Sequence, residues 1–185
     1  SEPAPLPTDA AGICRLFGLP WAEDAPVPLT YFTDIRCPSC RVLEASLAGI
    51  AREEPDLFRL HIREFPIFGP RSEAAARAIR AAAGQGASET MRRQLRTRPA
   101  PTSAEGIDAL GRTLDLDPDA LVEAWQGADV ADSLAEDLAL ARRLGLRGTP
   151  GLVVGRTVVE GALPRTTLLD LLQAEDRDGP PDQCT

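Results

Sequence analysis

The chain has 185 residues, the length of one domain or of one domain with a large insertion. Its formal net charge of −8 disfavours nucleic acid or an anionic membrane surface as the main partner. Its apolar content of 43% suits a soluble protein with a real core, and no apolar run reaches the length of a membrane span. All 20 basic residues are arginine, which we read as a base-composition bias of the source rather than as chemistry.

Residues 1–27 are rich in Pro and Ala and read as an N-terminal extension. Its start, Ser1-Glu2-Pro3-Ala4-Pro5, is expected to be a tail left after a signal peptide is removed, although trimming during cloning would leave the same pattern. Asp9 to Phe17 has the pattern of a short helix, and Trp21 is expected to anchor the segment. Leu29 to Thr33 reads as a buried strand and Pro38 to Arg52 as a helix, with Val42, Leu43, Leu47 and Ile50 facing the core. Leu57 to Glu64 reads as a second strand with Phe58, Leu60 and Ile62 on one face, which completes a βαβ unit.

About 80 residues of short helices follow. Helices are expected at Ser72 to Ala83, Ser88 to Thr97, Ser103 to Leu114, Asp117 to Trp125 and Asp129 to Leu144, with Ser72, Ser103 and Asp117 as caps. Leu152 to Val154 and Thr157 to Val159 flank Gly155-Arg156, a hairpin signal. Pro164 to Gln173 reads as the last helix, with Leu168, Leu169, Leu171 and Leu172 inward, and Glu175 to Thr185 as a loose tail. The expected organisation is α/β, βαβ…ββα with an inserted all-helical domain. Residues 28–65 and 148–174 form the strand domain, 66–147 the insertion and 175–185 the tail.

The chemistry is concentrated in Cys37-Pro38-Ser39-Cys40. A strand delivers the first cysteine to a helix N-terminus, where unpaired N–H groups and the helix dipole favour a thiolate over a thiol. Thiolates are the species that attack disulfides. The i, i+3 spacing puts both sulfurs on one face, within bridging reach. Pro38 costs little there, because its missing N–H would have no helical partner. Gly148-Thr149-Pro150 precedes the hairpin. A cis proline there would leave Thr149 on a short backbone edge able to pair with an extended substrate; the plainer reading is an ordinary trans proline in a loop. Cys14 and Cys184 stand near opposite ends. In an oxidising compartment a bridge between them would close a loop of about 170 residues, at an upper figure of about 5 kcal/mol. The other reading is two unbridged thiols.

Together these segments resemble the thioredoxin-fold disulfide oxidoreductases of the DsbA type. The resemblance is carried by Tyr31-Phe32-Thr33-Asp34-Ile35-Arg36-Cys37-Pro38-Ser39-Cys40, by Arg63-Glu64-Phe65-Pro66-Ile67-Phe68-Gly69-Pro70-Arg71-Ser72-Glu73-Ala74-Ala75, by Leu144-Gly145-Leu146-Arg147-Gly148-Thr149-Pro150, and by Gly161. It implies a thioredoxin fold with a helical insertion and a bacterial extracytoplasmic, periplasmic home. It further implies Cys37 as exposed nucleophile, Cys40 as buried partner and Pro150 as the cis-proline facing the disulfide.

Three residues depart from the family's pattern. Tyr31 stands where a glutamate often handles the buried cysteine's proton, and a phenol is too weak an acid to replace it at neutral pH. Pro38-Ser39 replaces the Pro-His of the most oxidising members, so a less oxidising couple is expected. Gly151-Leu152 replaces larger residues, which would widen a substrate groove.

Glu44 lies four residues after Cys40 and leans back toward it. It is either the acceptor of the Cys40 proton or a solvated helix carboxylate. Asp34 reads as a loop carboxylate that tunes the site through like-charge repulsion, opposing Arg36. His61, the one histidine, is a poor candidate for zinc or for hydrolase chemistry: structural zinc wants four ligands, and a hydrolase leaves Cys40 without a purpose.

The expected activity is a thiol–disulfide oxidoreductase that introduces disulfides into extracytoplasmic proteins, with no cofactor or metal. Its partners would be unfolded or reduced proteins and a membrane-bound redox protein, and the enzyme a monomer not embedded in the membrane. Two alternatives remain open. One is a reductase or isomerase for particular clients. The other, of a different class, is a Cu(I)-binding chaperone using Cys37 and Cys40 as soft ligands.

Overall fold

The computed structural model describes residues 21–22 and 24–180. The expected Asp9–Phe17 helix and both outer cysteines, Cys14 and Cys184, lie outside the described residues. The elements are β1 (Val27–Thr33), α1 (Pro38–Glu53), β2 (Phe58–Glu64), α2 (Pro70–Ala82), α3 (Ser88–Thr97), α4 (Ala104–Thr113), α5 (Pro118–Gln126), α6 (Ala128–Arg143), β3 (Gly151–Val154), β4 (Thr157–Glu160) and α7 (Arg165–Asp178). The chain divides into two compact units. Of the described residues, the strand unit holds those from Trp21 to Thr33, then Pro38–Arg63 and those from Leu140 to Pro180; the helical unit holds Asp34–Cys37 and Glu64–Ala139. The division between Ala139 and Leu140 falls inside α6.

In the strand unit the sheet order is β2-β1-β3-β4. β3 runs antiparallel to both neighbours, with Phe32 opposite Gly151 and Leu152 opposite Val159. Central β1 is buried at every position, Thr30 and Thr33 included, as befits a mostly apolar strand with neighbours on both sides. β2 is an edge strand, which is why the expected inward Leu60 is 38% exposed. On α1, Leu43, Leu47 and Ile50 are buried, but Val42 is 66% exposed. At 100° per residue the three buried positions form one stripe and Val42 falls about a quarter-turn outside it.

The hairpin turns at Gly155, whose φ of +54° suits glycine. A Cβ there would also meet Glu175 Oε2 at 2.5 Å. Glu175 is buried and accepts from Arg156 Nε (2.9 Å) and Thr157 Oγ1 (2.7 Å). The end of α7 is thus latched to the hairpin rather than loose, because a buried carboxylate keeps its place only when its oxygens are filled. Trp21 is buried beneath the Arg156 guanidinium, as an anchor should be.

In the helical unit, α2 begins at Pro70, not at Ser72. Gly69 precedes it at φ +85°, and no Ser72 cap forms. Ser103 and Asp117 do cap α4 and α5, accepting from Gly106 N and Ala120 N. The core is rich in alanine: Ala74, Ala75, Ala78, Ala81 and Ala82 pack with Ile79, Met91, Ile107 and Leu121. Buried polar groups tie it together. Arg92 pairs with Glu64, Arg80 pairs with Asp137, and Asp137 also accepts from Glu64 N at 3.0 Å.

Candidate active site

The site is built where β1 ends. Its last residues, Tyr31, Phe32 and Thr33, are fully buried, and the chain then turns through Asp34-Ile35-Arg36. Cys37 N donates to Asp34 O at 2.9 Å and closes the turn. Pro38 is the first residue of α1 and Cys40 the third. The helix therefore starts at the motif, and its first N–H groups lack intrahelical partners. The first turn of α1 carries no acidic residue, so nothing there competes with sulfur for the positive end of the helix dipole.

Cys37 and Cys40 are both buried, 2% and 1% exposed. The expectation of an exposed Cys37 is corrected: in this turn it is Arg36, Pro38 and Ser39 that face solvent.

Asp34 is a clamp rather than a loose tuning charge. It is 2% exposed, and four donors fill its carboxylate. Oδ1 accepts from Arg36 N (2.9 Å) and Ser72 Oγ (2.8 Å), while Oδ2 accepts from Ile67 N (2.8 Å) and Phe68 N (3.2 Å). The same side chain fixes the loop before Cys37 and the half-exposed Ile67-Phe68 loop. Ser72, expected as a cap, serves this clamp instead.

Inside the strand unit, Tyr31 reaches Cys40 and Glu44. Its hydroxyl is 3.3 Å from the Cys40 carbonyl and 3.4 Å from Glu44 Oε1, and it also hydrogen-bonds the Cys40 side chain. Thr33 Oγ1 donates to the phenol oxygen at 2.9 Å. Burial, then the hydrogen bond to Cys40, holds the phenol far above its ordinary range. The Cys40 and Glu44 charges add to that, against the Thr33 bond. Glu44 is half-buried. The sequence placed Glu44 toward Cys40 but missed Thr33; its alternation with Tyr31 on one strand face was the available signal.

The Thr149–Pro150 peptide is cis. Pro150 is buried, its carbonyl accepts from Gly161 N at 2.8 Å, and it leads into β3 beside the end of β1. Gly151 does not widen a groove: a Cβ there would meet Leu146 Cδ1 at 2.6 Å, so Leu146 fills that space. His61 is half-buried with Nε2 lacking a hydrogen-bond partner. Burial and then Arg59 and Arg63 hold it below its ordinary range, which suits the neutral form. No group of three or more metal-ligating side chains occurs among the described residues.

Comparison with known proteins agrees with this geometry. A thioredoxin-like oxidoreductase from Silicibacter pomeroyi DSS-3 is 32% identical, with 82% of this chain and 87% of that chain covered and a TM-score of 0.71. The catalytic domain of Proteus mirabilis ScsC is 25% identical over 93% of each chain, with a TM-score of 0.67. A periplasmic thioredoxin-like protein from Salmonella enterica serovar Typhimurium is 25% identical over 93% and 94%, with a TM-score of 0.66. No curated protein gives a significant match. The model of the DSBA-like thioredoxin domain matches residues 29–173, from the middle of β1 into α7, and the chain belongs to that family.

Proposed function

We propose that the protein is a thiol–disulfide oxidoreductase that introduces disulfides into extracytoplasmic proteins through a Cys37–Cys40 couple. The carrying observation is the Cys37-Pro38-Ser39-Cys40 motif at the start of α1, directly after a buried strand and within the family match. A client thiolate attacks Cys37 of the bridged enzyme; the Cys37–Cys40 bond breaks and Cys40 leaves as thiolate. A second client thiolate attacks the client sulfur of the mixed disulfide, and Cys37 leaves. Two client thiols become one disulfide and the enzyme disulfide becomes a dithiol. Electrons move between sulfurs alone, so the reaction needs no cofactor.

Thr149 and Pro150 would hold client backbone beside the motif, as the family pattern implies. Pro38 and Ser39 would tune the couple, and Glu44 would serve the Cys40 proton. Cys14 and Cys184 would form a structural bridge. The periplasmic Salmonella relative supports an extracytoplasmic site of action. A membrane-bound redox partner would restore the disulfide to a monomeric enzyme. One observation favours a second reading, as a reductase or isomerase: Ser39 supplies no positive charge to the thiolate.

Cys37→Ser should abolish turnover, whereas Cys40→Ser should trap clients as mixed disulfides on Cys37. An absence of trapped adducts in an oxidising extract would overturn these roles. A glutathione redox titration separates the two readings: about −120 mV marks an oxidase and about −270 mV a reductase. Stoichiometric copper on the reduced protein, without turnover on model thiols, would favour the chaperone.

A further inference from the structure

We propose that the Tyr31 hydroxyl carries the proton between the Cys40 sulfur and the Glu44 carboxylate, with Thr33 fixing its orientation. This rests on Cys40 being the resolving sulfur. Each time the Cys37–Cys40 bond opens, Cys40 departs as a thiolate and must gain a proton; each time the bond closes, it must lose one. Tyr31 and Thr33 are 0% exposed and Cys40 is 1% exposed, so bulk water has little access to that sulfur. Glu44, half-buried, is the group in this set that reaches solvent.

A phenol has one proton to give and two lone pairs. Thr33 fills one lone pair, and the bond to the Cys40 side chain raises the phenol, so in that bond the phenol donates to sulfur, the direction needed when Cys40 is a thiolate. The same phenol proton also reaches the Cys40 carbonyl at 3.3 Å and Glu44 Oε1 at 3.4 Å, so the Glu44 bond is loose at rest and has to shorten for a transfer. As the bond closes, the Cys40 proton passes to Tyr31 Oη while the phenol proton passes to Glu44. The products are a Cys40 thiolate, an intact phenol and a neutral Glu44, which releases its proton to water. As the bond opens, both transfers reverse.

The high-lying phenol never accumulates as phenolate, so Tyr31 conducts a proton without storing one. That distinguishes it from the family's usual carboxylic acid at this position, and it is compatible with a phenol being too weak an acid to act alone. The charged groups acting on the phenol are Cys40 and Glu44 of α1. Across the ladder β3 offers apolar Leu152, and Glu175 of α7 is engaged by Arg156 and Thr157.

Ellman's reagent tests this in two phases on the full chain. The first thionitrobenzoate release reports attack by Cys37; the second reports Cys40 closing the mixed disulfide. For Tyr31→Phe the expected result is a second phase slowed about ten-fold or more at neutral pH relative to the first. The deficit should shrink toward pH 9, where hydroxide takes the Cys40 proton directly. Glu44→Gln should match it, and the double variant should be no slower than the slower single one. In unmutated protein, the second-phase rate against deuterium fraction should bow, because two protons move together. A straight proton inventory overturns the relay whether or not the variants fold. So does a Tyr31→Phe second phase within two-fold of the parent, or a deficit equal at every pH. Absence of the first phase would instead overturn the functional reading itself, and the relay with it.

Discussion

The two units of this molecule are held together by different means. In the strand unit, Trp21, Leu29, Tyr31, Phe32, Leu43, Ile50, Leu152, Leu168 and Leu172 are all less than 2% exposed, so large side chains fill the interior. In the helical unit, alanines occupy most of the buried face of α2. Alanine loses no side-chain entropy on burial and lets helices approach closely, but each one removes little apolar area from water. That unit depends correspondingly more on buried polar latches. Arg92 with Glu64 and Arg80 with Asp137 are two of them. Arg77 is a third, donating to the Trp125 carbonyl while its guanidinium lies 5.9 Å from the Trp125 ring centroid. The lesson is that one unit is specified by volume and the other by where its charges find partners.

The largest test breaks a latch. Arg92 and Glu64 are each 4% exposed at the side chain, and removing one partner from a buried pair costs about 3–5 kcal/mol. Arg92→Met should therefore melt the helical unit first, read as lost amide protection in α2 and α3. Its pH dependence has a definite sign. Burial pushes the Glu64 carboxyl above its ordinary range, and Arg92 opposes that push. Without Arg92 the folded form should hold a proton that the unfolded form has already released. Stability is then greatest below the unfolded value of about 4.3 and falls as pH rises through the folded one. Arg92→Met should accordingly unfold at a lower temperature at pH 8 than at pH 5. A change equal at both pH values would mean that the latch is not electrostatic.

The matching test in the strand unit removes volume. Leu43 is fully buried on α1, and Leu43→Ala should cost about 3 kcal/mol through lost burial and the cavity left behind. Unlike Arg92→Met, its deficit in denaturant unfolding should be independent of pH between 5 and 8. Comparable pH dependence in the two variants would erase the distinction drawn between the units.

This division also explains what the sequence could reveal. A short apolar run marks β1, the period of 3.6 marks α1, the Gly155-Arg156 turn marks the hairpin, and local capping chemistry marks Ser103 and Asp117, because those signals lie within a few residues of their effects. Val42 departs from the expected inward face because it lies about a quarter-turn outside the stripe of Leu43, Leu47 and Ile50. Ser72 carries a cap-like local signal, but its partner, Asp34, is 38 positions away in the chain and out of reach of any local pattern. Glu175 looks like part of a loose tail in the sequence because its hydrogen-bond partners, Arg156 and Thr157, lie 19 and 18 positions back. The candidate site divides in the same way. The motif is local and was legible, and the lean of Glu44 toward Cys40 follows from helix geometry. The phenol joining them comes from a strand 13 positions before Glu44, and only the packing of α1 on β1 brings it there.

The smallest expected effect is at Ser103. Its side chain accepts from Gly106 N at 3.2 Å at the exposed start of α4, and losing such a cap costs about 1 kcal/mol. Ser103→Ala should lower protection in α4, and Ser103→Asp should restore it, because a carboxylate both caps and complements the helix dipole. The cap needs no burial, so this change should be unaffected by pH near neutrality and additive with Arg92→Met, whose site shares no partner with it. Strong coupling between the two would show that the latch and the cap belong to one cooperative network, and that charge placement governs the helical unit out to its exposed ends.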